Sequence, residues 1–286
     1  MEFVPVRYDE AAYQDYVQLF SLCFPQARKY HRDYLDWLYR ANPDGRAVGY
    51  DARDGDRLAA HYVCIPARAW VGGQEVDVLL SLNTATHPAY QGRGLFTQLA
   101  ERTYAAGAAA GYDAVYGVAN ANSTPGFTRK LKFQLLSPLR AMLGLGALGI
   151  DFTASPALQF RRSWSVDALA WRCSSPVNPV MRRTGDGHSH FLAAALFSQL
   201  CLATAELEDG RPDPALLNTK AVSRLSPLRL FLGLVPPPMQ RWSLYVDIPQ
   251  VFRPSPLNLI YRSLSGRVQS IDPESVFLNF LDFDAY

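Results

Sequence analysis

The residues with the clearest potential for chemistry form a glycine-containing turn between an apolar run and a helical segment. The turn has the sequence Gln91-Gly92-Arg93-Gly94, and residues 97–110 after it are rich in helix formers. Backbone N–H groups in such a turn point into one concavity, and the first turn of the following helix adds partial positive charge. Glycine lets the backbone approach an anion closely, because it has no Cβ atom. The pattern therefore predicts a pyrophosphate site, with Arg93 adding a charge-assisted contact at its rim.

The elements that would position this turn alternate between helix and strand. Apolar spacing predicts helices over residues 8–24, 34–39, 97–110 and 126–131. It predicts strands over residues 47–50, 58–66, 69–71, 76–86 and 112–118. The strand ending at residue 86 runs directly into the glycine turn. Strands and helices that alternate around such a joint predict an α/β domain that binds its ligand there.

The flanks of the turn have a specific parallel in a known family. The sequence Thr86-His87-Pro88-Ala89-Tyr90-Gln91-Gly92-Arg93-Gly94-Leu95 resembles the signature region of the GNAT N-acetyltransferases. The family pattern is Gln or Arg, two residues, Gly, one residue, and then Gly or Ala. Gln91 and Gly94 match this pattern, whereas Phe96 departs from it at the last position.

Two further segments extend the resemblance to roughly residues 1–140. Residues 120–122 resemble the loop after the family's fifth strand, and residues 127–133 resemble the helix that closes over the pantetheine arm. The resemblance implies that acetyl-CoA or another acyl-CoA is the donor and that an amine attacks its thioester carbonyl. The residues it assigns to the donor are Thr86, Gln91, Gly92, Arg93, Gly94, Leu95, Phe96, Thr97, Asn120 and Asn122.

The groups that usually transfer protons in this family are missing at the matching positions. Thr128 stands where a tyrosine acid is common, and residues 78–90 contain no Asp or Glu. Judged by strand position alone, the candidates within reach of the site are His61, Asn83, His87, Tyr116, Asn120 and Asn122. The predicted catalytic residues are His61, Tyr116 and Asn120. Each also has a structural interpretation: His61 as a satisfied core histidine, Tyr116 as a strand core residue, and Asn120 as a residue that shapes a loop.

A second histidine-containing motif, His188-Ser189-His190, raises the question of a metal site. No Cys, Asp or Glu cluster joins the two histidines at ligand spacing, so the pattern favours a polar hairpin turn. The sequence therefore predicts no metal cofactor.

The second half of the chain shows a weak echo of the first. Residues 171–176 resemble 39–43, and residues 243–264 resemble 114–131, both at an offset of roughly 130 residues, as an internal duplication predicts. No counterpart of the glycine turn is present there. The predicted fold is α/β: a GNAT-like mixed sheet flanked by helices, followed by a second, smaller GNAT-like domain without the cofactor turn.

Domain boundaries follow from this division. Residues 1–145 are the predicted GNAT acyl-CoA-binding domain, and residues 146–286 a degenerate copy or acceptor-pocket domain. The apolar residues 141–150 are predicted to connect the two. Residues 242–246 and 276–283 are predicted strands of the second domain.

Composition and charge restrict the possible partners and location. The 28 Lys and Arg against 26 Asp and Glu give a formal charge of +2, which is too balanced for a nucleic-acid-binding surface. The first residues show no pattern of a signal sequence, and residues 141–150 are far fewer than the roughly 20 needed to cross a bilayer. The four cysteines lack metal or redox spacing. These features predict a cytoplasmic protein with reduced thiols and no membrane insertion.

Three functions are compatible with these observations. The first is an acyl-CoA-dependent N-acyltransferase acting on the amine of a small molecule, such as an amino sugar or a biosynthetic intermediate. The second is a tandem-GNAT transferase that takes its acyl group from a charged tRNA or a carrier protein, although the balanced charge disfavours tRNA. The third is a non-catalytic acyl-CoA-sensing or partner-binding module, which the missing proton-transfer groups favour.

Overall fold

The computed structural model describes residues 1–154, 156–184, 188–196, 198–208, 227–253 and 255–284. The chain divides into two compact units. The first contains residues 1–68, 76–135 and 260–270, and the second contains residues 69–75, 136–259 and 271–286. The division is therefore not the single cut after residue 145 that the sequence suggests, because residues 260–270 return to the first unit.

The first half of the chain contains β1 Glu2–Pro5, α1 Glu10–Cys23, α2 Arg32–Tyr39, β2 Val48–Asp54, β3 Arg57–Val71, β4 Gln74–Thr86, α3 Leu95–Ala109, β5 Ala114–Ala119 and β6 Gln134–Pro138. Most of these elements agree with the prediction apart from small shifts of their ends, but β1 and β6 were not predicted. Side chains of Asp9 and His31 cap α1 and α2 by accepting backbone N–H groups. A single π-helical turn, Gly126–Lys130, replaces the predicted helix over residues 126–131.

The sheet that carries the glycine turn has the strand order β1-β2-β3-β4-β5-β14-β6, where β14 is Asn258–Ser263. Neighbours β2 and β3 are antiparallel, whereas β4 and β5 are parallel. The prediction of separate strands over residues 58–66 and 69–71 is wrong, because both lie in β3. Pro66 does not interrupt this strand, since the φ that its ring imposes is compatible with extended backbone.

Helix α3 is held against the sheet by its apolar face. Leu95, Leu99 and Tyr104 lie in one buried cluster with Tyr62. A Cβ atom added at Gly107 would lie 2.7 Å from Cδ1 of Leu79 on β4. Glycine at this position therefore permits a close approach of helix and sheet.

The elements of the second unit are β7 Arg140–Leu145, β8 Phe160–Ser163, α4 Val166–Cys173, β9 Met181–Thr184, β10 His188–Ala195, β11 Ser198–Glu208, β12 Leu228–Gly233, β13 Tyr245–Asp247 and β15 Val276–Phe277. Six of these strands form a sheet of their own, in the order β13-β7-β12-β11-β10-β9. The mixed α/β class predicted for the chain is confirmed.

Three predictions for the second half are wrong in detail. Residues 141–150 are not a connector, because β7 pairs with β12 and β13 inside the sheet. Residues 276–283 form a two-residue strand and a 3-10 turn rather than a full strand. Residues 243–264 do not repeat the strand, loop and helix of 114–131, since the predicted helix is β14, whose Leu259, Ile260 and Tyr261 are buried as a continuous apolar run.

All four cysteines are free, with Cys64, Cys173 and Cys201 buried and Cys23 half-buried. Burial raises the pKa of the Cys64 thiol to about 12. Among the described residues, no helix has the length and apolar character needed to span a membrane.

The buried carboxyl group of Asp282 makes stability depend on pH. It accepts the backbone N–H of Asn279 at 2.7 Å and the indole N–H of Trp164 at 3.1 Å, but burial still raises its pKa to about 6. The unfolded value is about 3.9, so the contribution of this group to stability is full below about pH 4 and is lost as the pH rises toward 6.

We expect the free energy of unfolding of the wild type, relative to the Asp282→Asn variant, to fall by ~2 kcal/mol between these pH values. The amide does not ionise in this range. The variant therefore removes the pH-dependent contribution of residue 282 to the free energy of unfolding and keeps the shape of the side chain. Denaturant titrations across the interval measure the difference. A difference that stays constant with pH would contradict the raised pKa.

Candidate functional site

The glycine turn joins β4 to α3 and has backbone angles that glycine adopts readily. Gly92 has a φ of +76° and Gly94 a φ of +70°, both in the left-handed region. A Cβ atom added at either position would meet no protein atom within 4 Å. The backbone of the turn is therefore open to a ligand. Two properties explain the two glycines: they adopt the left-handed φ readily, and they allow a ligand to approach the backbone closely.

The start of α3 supplies free amide donors at the same place. Gly94 is the N-cap and makes no side-chain capping bond, and α3 begins at Leu95. The amide of Gln98 donates to the carbonyl oxygen of Gly94 at 3.2 Å, so the N–H groups of residues 95–97 precede the hydrogen-bonded ladder of the helix. Together with the helix dipole, these donors favour a bound anion.

A break in regular strand geometry lies next to the turn. The parallel ladder between β4 and β5 runs from Val78↔Ala114 to Ser81↔Gly117, and β4 continues to Thr86. Beyond the ladder Asn83 has a φ of +37°, a left-handed conformation that asparagine adopts more readily than other non-glycine residues. The carboxyl ends of parallel strands are where open α/β sheets bind ligands.

Side chains at the rim of the turn are held by local contacts. Arg93 donates to the carbonyl oxygen of Ala89 at 3.3 Å, and its guanidinium lies 4.9 Å from the ring centroid of Tyr90. Gln91 donates to the carbonyl oxygen of Thr86 at 3.5 Å. The structure thus brings the predicted donor residues at 86 and 91–97 together on one turn.

Phe96, the departure from the family pattern, connects α3 to the π-helical turn. Its ring packs edge to face with Phe127 at 5.2 Å and with Tyr62 at 5.9 Å. A Cβ atom added at Gly126 would lie 3.1 Å from Cε1 of Phe96. The aromatic residue therefore leaves the first helical turn intact and ties it to residues 126–130.

The predicted residues of the loop after β5 have different roles. The side-chain oxygen of Asn120 accepts the backbone N–H groups of Asn122 and Ser123 at 3.0 and 2.9 Å. This is the turn-shaping interpretation of Asn120, while Asn122 is exposed and available to a ligand. Thr128 donates its hydroxyl to the carbonyl oxygen of Thr124 at 3.0 Å, so it is engaged within its own segment.

His61 lies in a buried hydrogen-bond network rather than at an open surface. Its Nδ1 is 2.7 Å from Asp51, and its Nε2 is 3.0 Å from the hydroxyl of Tyr39. Tyr39 accepts a hydrogen bond from Asn83 at 3.0 Å, and Tyr16 donates to the other oxygen of Asp51 at 2.8 Å. Every bond is satisfied when neutral His61 carries its proton on Nδ1.

Burial argues against direct contact of two predicted catalytic residues with a substrate. The side chain of His61 has no exposed surface, and Tyr116 is 1% exposed on β5. Burial also raises the pKa of Tyr39 well above its usual value, so the neighbouring phenol is a poor acid. Asp51 and Tyr39, which engage the two ring nitrogens of His61, were not predicted as members of the site.

Comparison with known families identifies the domain around this turn. Residues 6–136 match the model of the acetyltransferase (GNAT) domain. These residues therefore form a GNAT acetyltransferase domain, and the resemblance based on Thr86 to Leu95 is confirmed. No curated protein sequence matches the chain.

Solved structures share the fold over most of the chain. A GCN5-related N-acetyltransferase from Anabaena variabilis ATCC 29413 aligns over 92% of this chain and 73% of its own, with 10% identity and a TM-score of 0.60. Eis1 from Mycobacterium abscessus aligns over 92% and 74%, with 12% identity and a TM-score of 0.56. A probable N-acyltransferase from Enterococcus faecalis V583 aligns over 93% and 73%, with 8% identity and a TM-score of 0.54. The likeness extends the fold assignment beyond residue 136.

Proposed function

We propose that the chain is an acyl-CoA-dependent N-acyltransferase that moves an acetyl or longer acyl group to the amine of a small molecule in the cytoplasm. The observation that carries this proposal is the open turn at Gly92 and Gly94, with free N–H groups at the start of α3. The pyrophosphate of CoA is an anion of the kind that such a turn binds. The GNAT domain match supports the same donor.

The chemistry follows from what the site contains. An amine must lose a proton and attack the thioester carbonyl, and the CoA thiolate must gain a proton as it leaves. Thr128 is engaged within its segment and the candidate base His61 is buried, so positioning of donor and acceptor supplies most of the rate, with protons passing to water. The rate should then rise with pH toward the pKa of the acceptor amine.

The acceptor is proposed to be an amino sugar or a biosynthetic amine rather than a nucleic acid. A formal charge of +2 supports this choice over a tRNA-dependent transfer. The burial of His61 and Tyr116 favours one alternative, a module that binds acyl-CoA without turnover.

Calorimetry of the full chain with CoA, acetyl-CoA and a long-chain acyl-CoA tests the donor, and amine-dependent thiol release tests the reaction. We expect one CoA thioester bound per chain and a release rate that depends on the amine. Binding without amine-dependent release would support the non-catalytic alternative. If no CoA compound binds, the proposal is wrong.

A further inference from the structure

Three potential metal ligands come together on two strands of the second unit. His188 and His190 alternate along β10, so their side chains share one face of the strand. Glu206 on β11 is the direct antiparallel partner of His190. One ligand atom from each of the three residues lies within 4.8 Å of the others. The expectation that no carboxylate joins the two histidines is therefore wrong, because strand pairing brings in Glu206.

The distances suit a tetrahedral ion. Nδ1 of His190 is 3.4 Å from Oε1 of Glu206. With metal–ligand bonds of about 2.0–2.1 Å, two ligand atoms of a tetrahedral zinc site lie about 3.3–3.4 Å apart. The ring centroids of His188 and His190 are 4.6 Å apart, so both imidazoles lie near the Glu206 carboxylate. Two imidazoles and one carboxylate form a ligand set that zinc accepts.

The carboxylate is already held in place for this role by backbone hydrogen bonds. Glu206 is fully buried and accepts backbone N–H groups from Leu148 at 2.5 Å, Ile150 at 3.2 Å and Gly149 at 3.4 Å. Carboxylates that bind metals are usually oriented by hydrogen bonds of this kind.

A fourth ligand has room beside His190. A cavity of about 250 Å³ lies there, and its lining residues include His190, Thr204, Arg183 and Arg229. The two positive charges disfavour a bare cation next to them and favour an ion whose fourth ligand is an anion such as hydroxide. Phe152 packs 6.1 Å from the ring of His188 and limits access on that side.

We propose that His188, His190 and Glu206 bind one Zn²⁺ ion, with water or hydroxide as the fourth ligand. The ion joins β10 to β11 and, through Glu206, to residues 148–150, so it stabilises the second unit. Zinc fits better than Mg²⁺, because Mg²⁺ prefers an all-oxygen octahedral set.

The test uses the full chain without an affinity tag, stripped with a chelator and titrated with Zn²⁺ against a chromophoric competitor. We expect one ion per chain and a rise in melting temperature on saturation. His188→Asn and His190→Asn should each weaken binding by at least the roughly 10–100-fold that loss of a supporting partner costs. Because imidazole ligands bind in their neutral form, affinity should also fall in acid.

The matched control is His31→Asn, since asparagine keeps the N-cap of α2 and removes a histidine outside the cluster. Zinc affinity should be unchanged in this variant. Circular dichroism of each variant checks that it folds. This check matters most for a Glu206→Gln variant, because Glu206 accepts hydrogen bonds from three backbone amides. No stoichiometric zinc, or wild-type affinity in both the His188 and His190 variants, would overturn the proposal. Neither result depends on acyl transfer.

Discussion

Replacement of Gly94 by asparagine should lower the affinity for acetyl-CoA by about 100-fold or more while the fold is retained. Asparagine tolerates the left-handed φ of +70° better than other side chains, so strain in the turn stays small. Its side chain would extend into the open space before the turn, where the pyrophosphate must meet the backbone. Loss of two charge-assisted hydrogen bonds at about 1.5–3 kcal/mol each gives a reduction of this size. Calorimetry with acetyl-CoA measures it.

The matched control is Gly55→Asn in the hairpin between β2 and β3. Gly55 has a φ of +57° and also has no atom within 4 Å of an added Cβ, so the backbone demand is the same. We expect wild-type affinity and an unfolding free energy close to that of Gly94→Asn. If the wild type and the folded Gly94→Asn variant bound acetyl-CoA with equal affinity, the donor would not bind at this turn.

Local patterns in the sequence predicted the glycine turn and the elements on either side of it. The glycine turn, the strand before it and the helix after it are contiguous, so residue type and spacing describe them completely. Phe96 shows the limit of such a pattern. Phe96 contacts Phe127, which lies 31 positions further along the chain. This contact depends on how α3 packs against the π-helical turn.

Pairing register decided what the sequence did not predict for His61. The hairpin pairs Asp54 with Arg57, and a bulge between Ala52 and Arg53 shifts the register. Asp51 therefore lies opposite His61. A regular hairpin would pair the residues at this distance from the turn differently. The residue types of the two strands do not indicate where the bulge lies.

Non-local pairing explains the errors in the second half. β14 lies between β5 and β6 in the first sheet although more than a hundred residues separate it from both in the chain. An apolar segment such as residues 258–263 fits a buried strand or a buried helix equally well, so spacing alone did not decide. The proximity of Glu206 to His190 also depends on strand pairing, because the register of β10 and β11 places the two residues opposite each other.

The network around His61 should matter more for stability than for the reaction. In Asp51→Leu, the Nδ1–H of His61 and the hydroxyl of Tyr16 lose their acceptor in a fully buried position. Orphaned buried donors cost about 1–3 kcal/mol each, and a broken buried pair about 3–5 kcal/mol. We expect the free energy of unfolding to fall by ~3–5 kcal/mol in denaturant titrations.

Asp51→Asn separates this structural role from proton transfer. The amide oxygen can still accept from His61, and Tyr16 can turn its hydroxyl toward the carbonyl oxygen of Arg7, now 3.3 Å away, while accepting the amide N–H. The loss in stability should then be about 1 kcal/mol. Since both ring nitrogens of His61 are already engaged, kcat in the folded variant should stay within a few-fold of wild type. A drop of about 100-fold in kcat at nearly unchanged stability would instead assign the Asp51 and His61 pair to proton transfer.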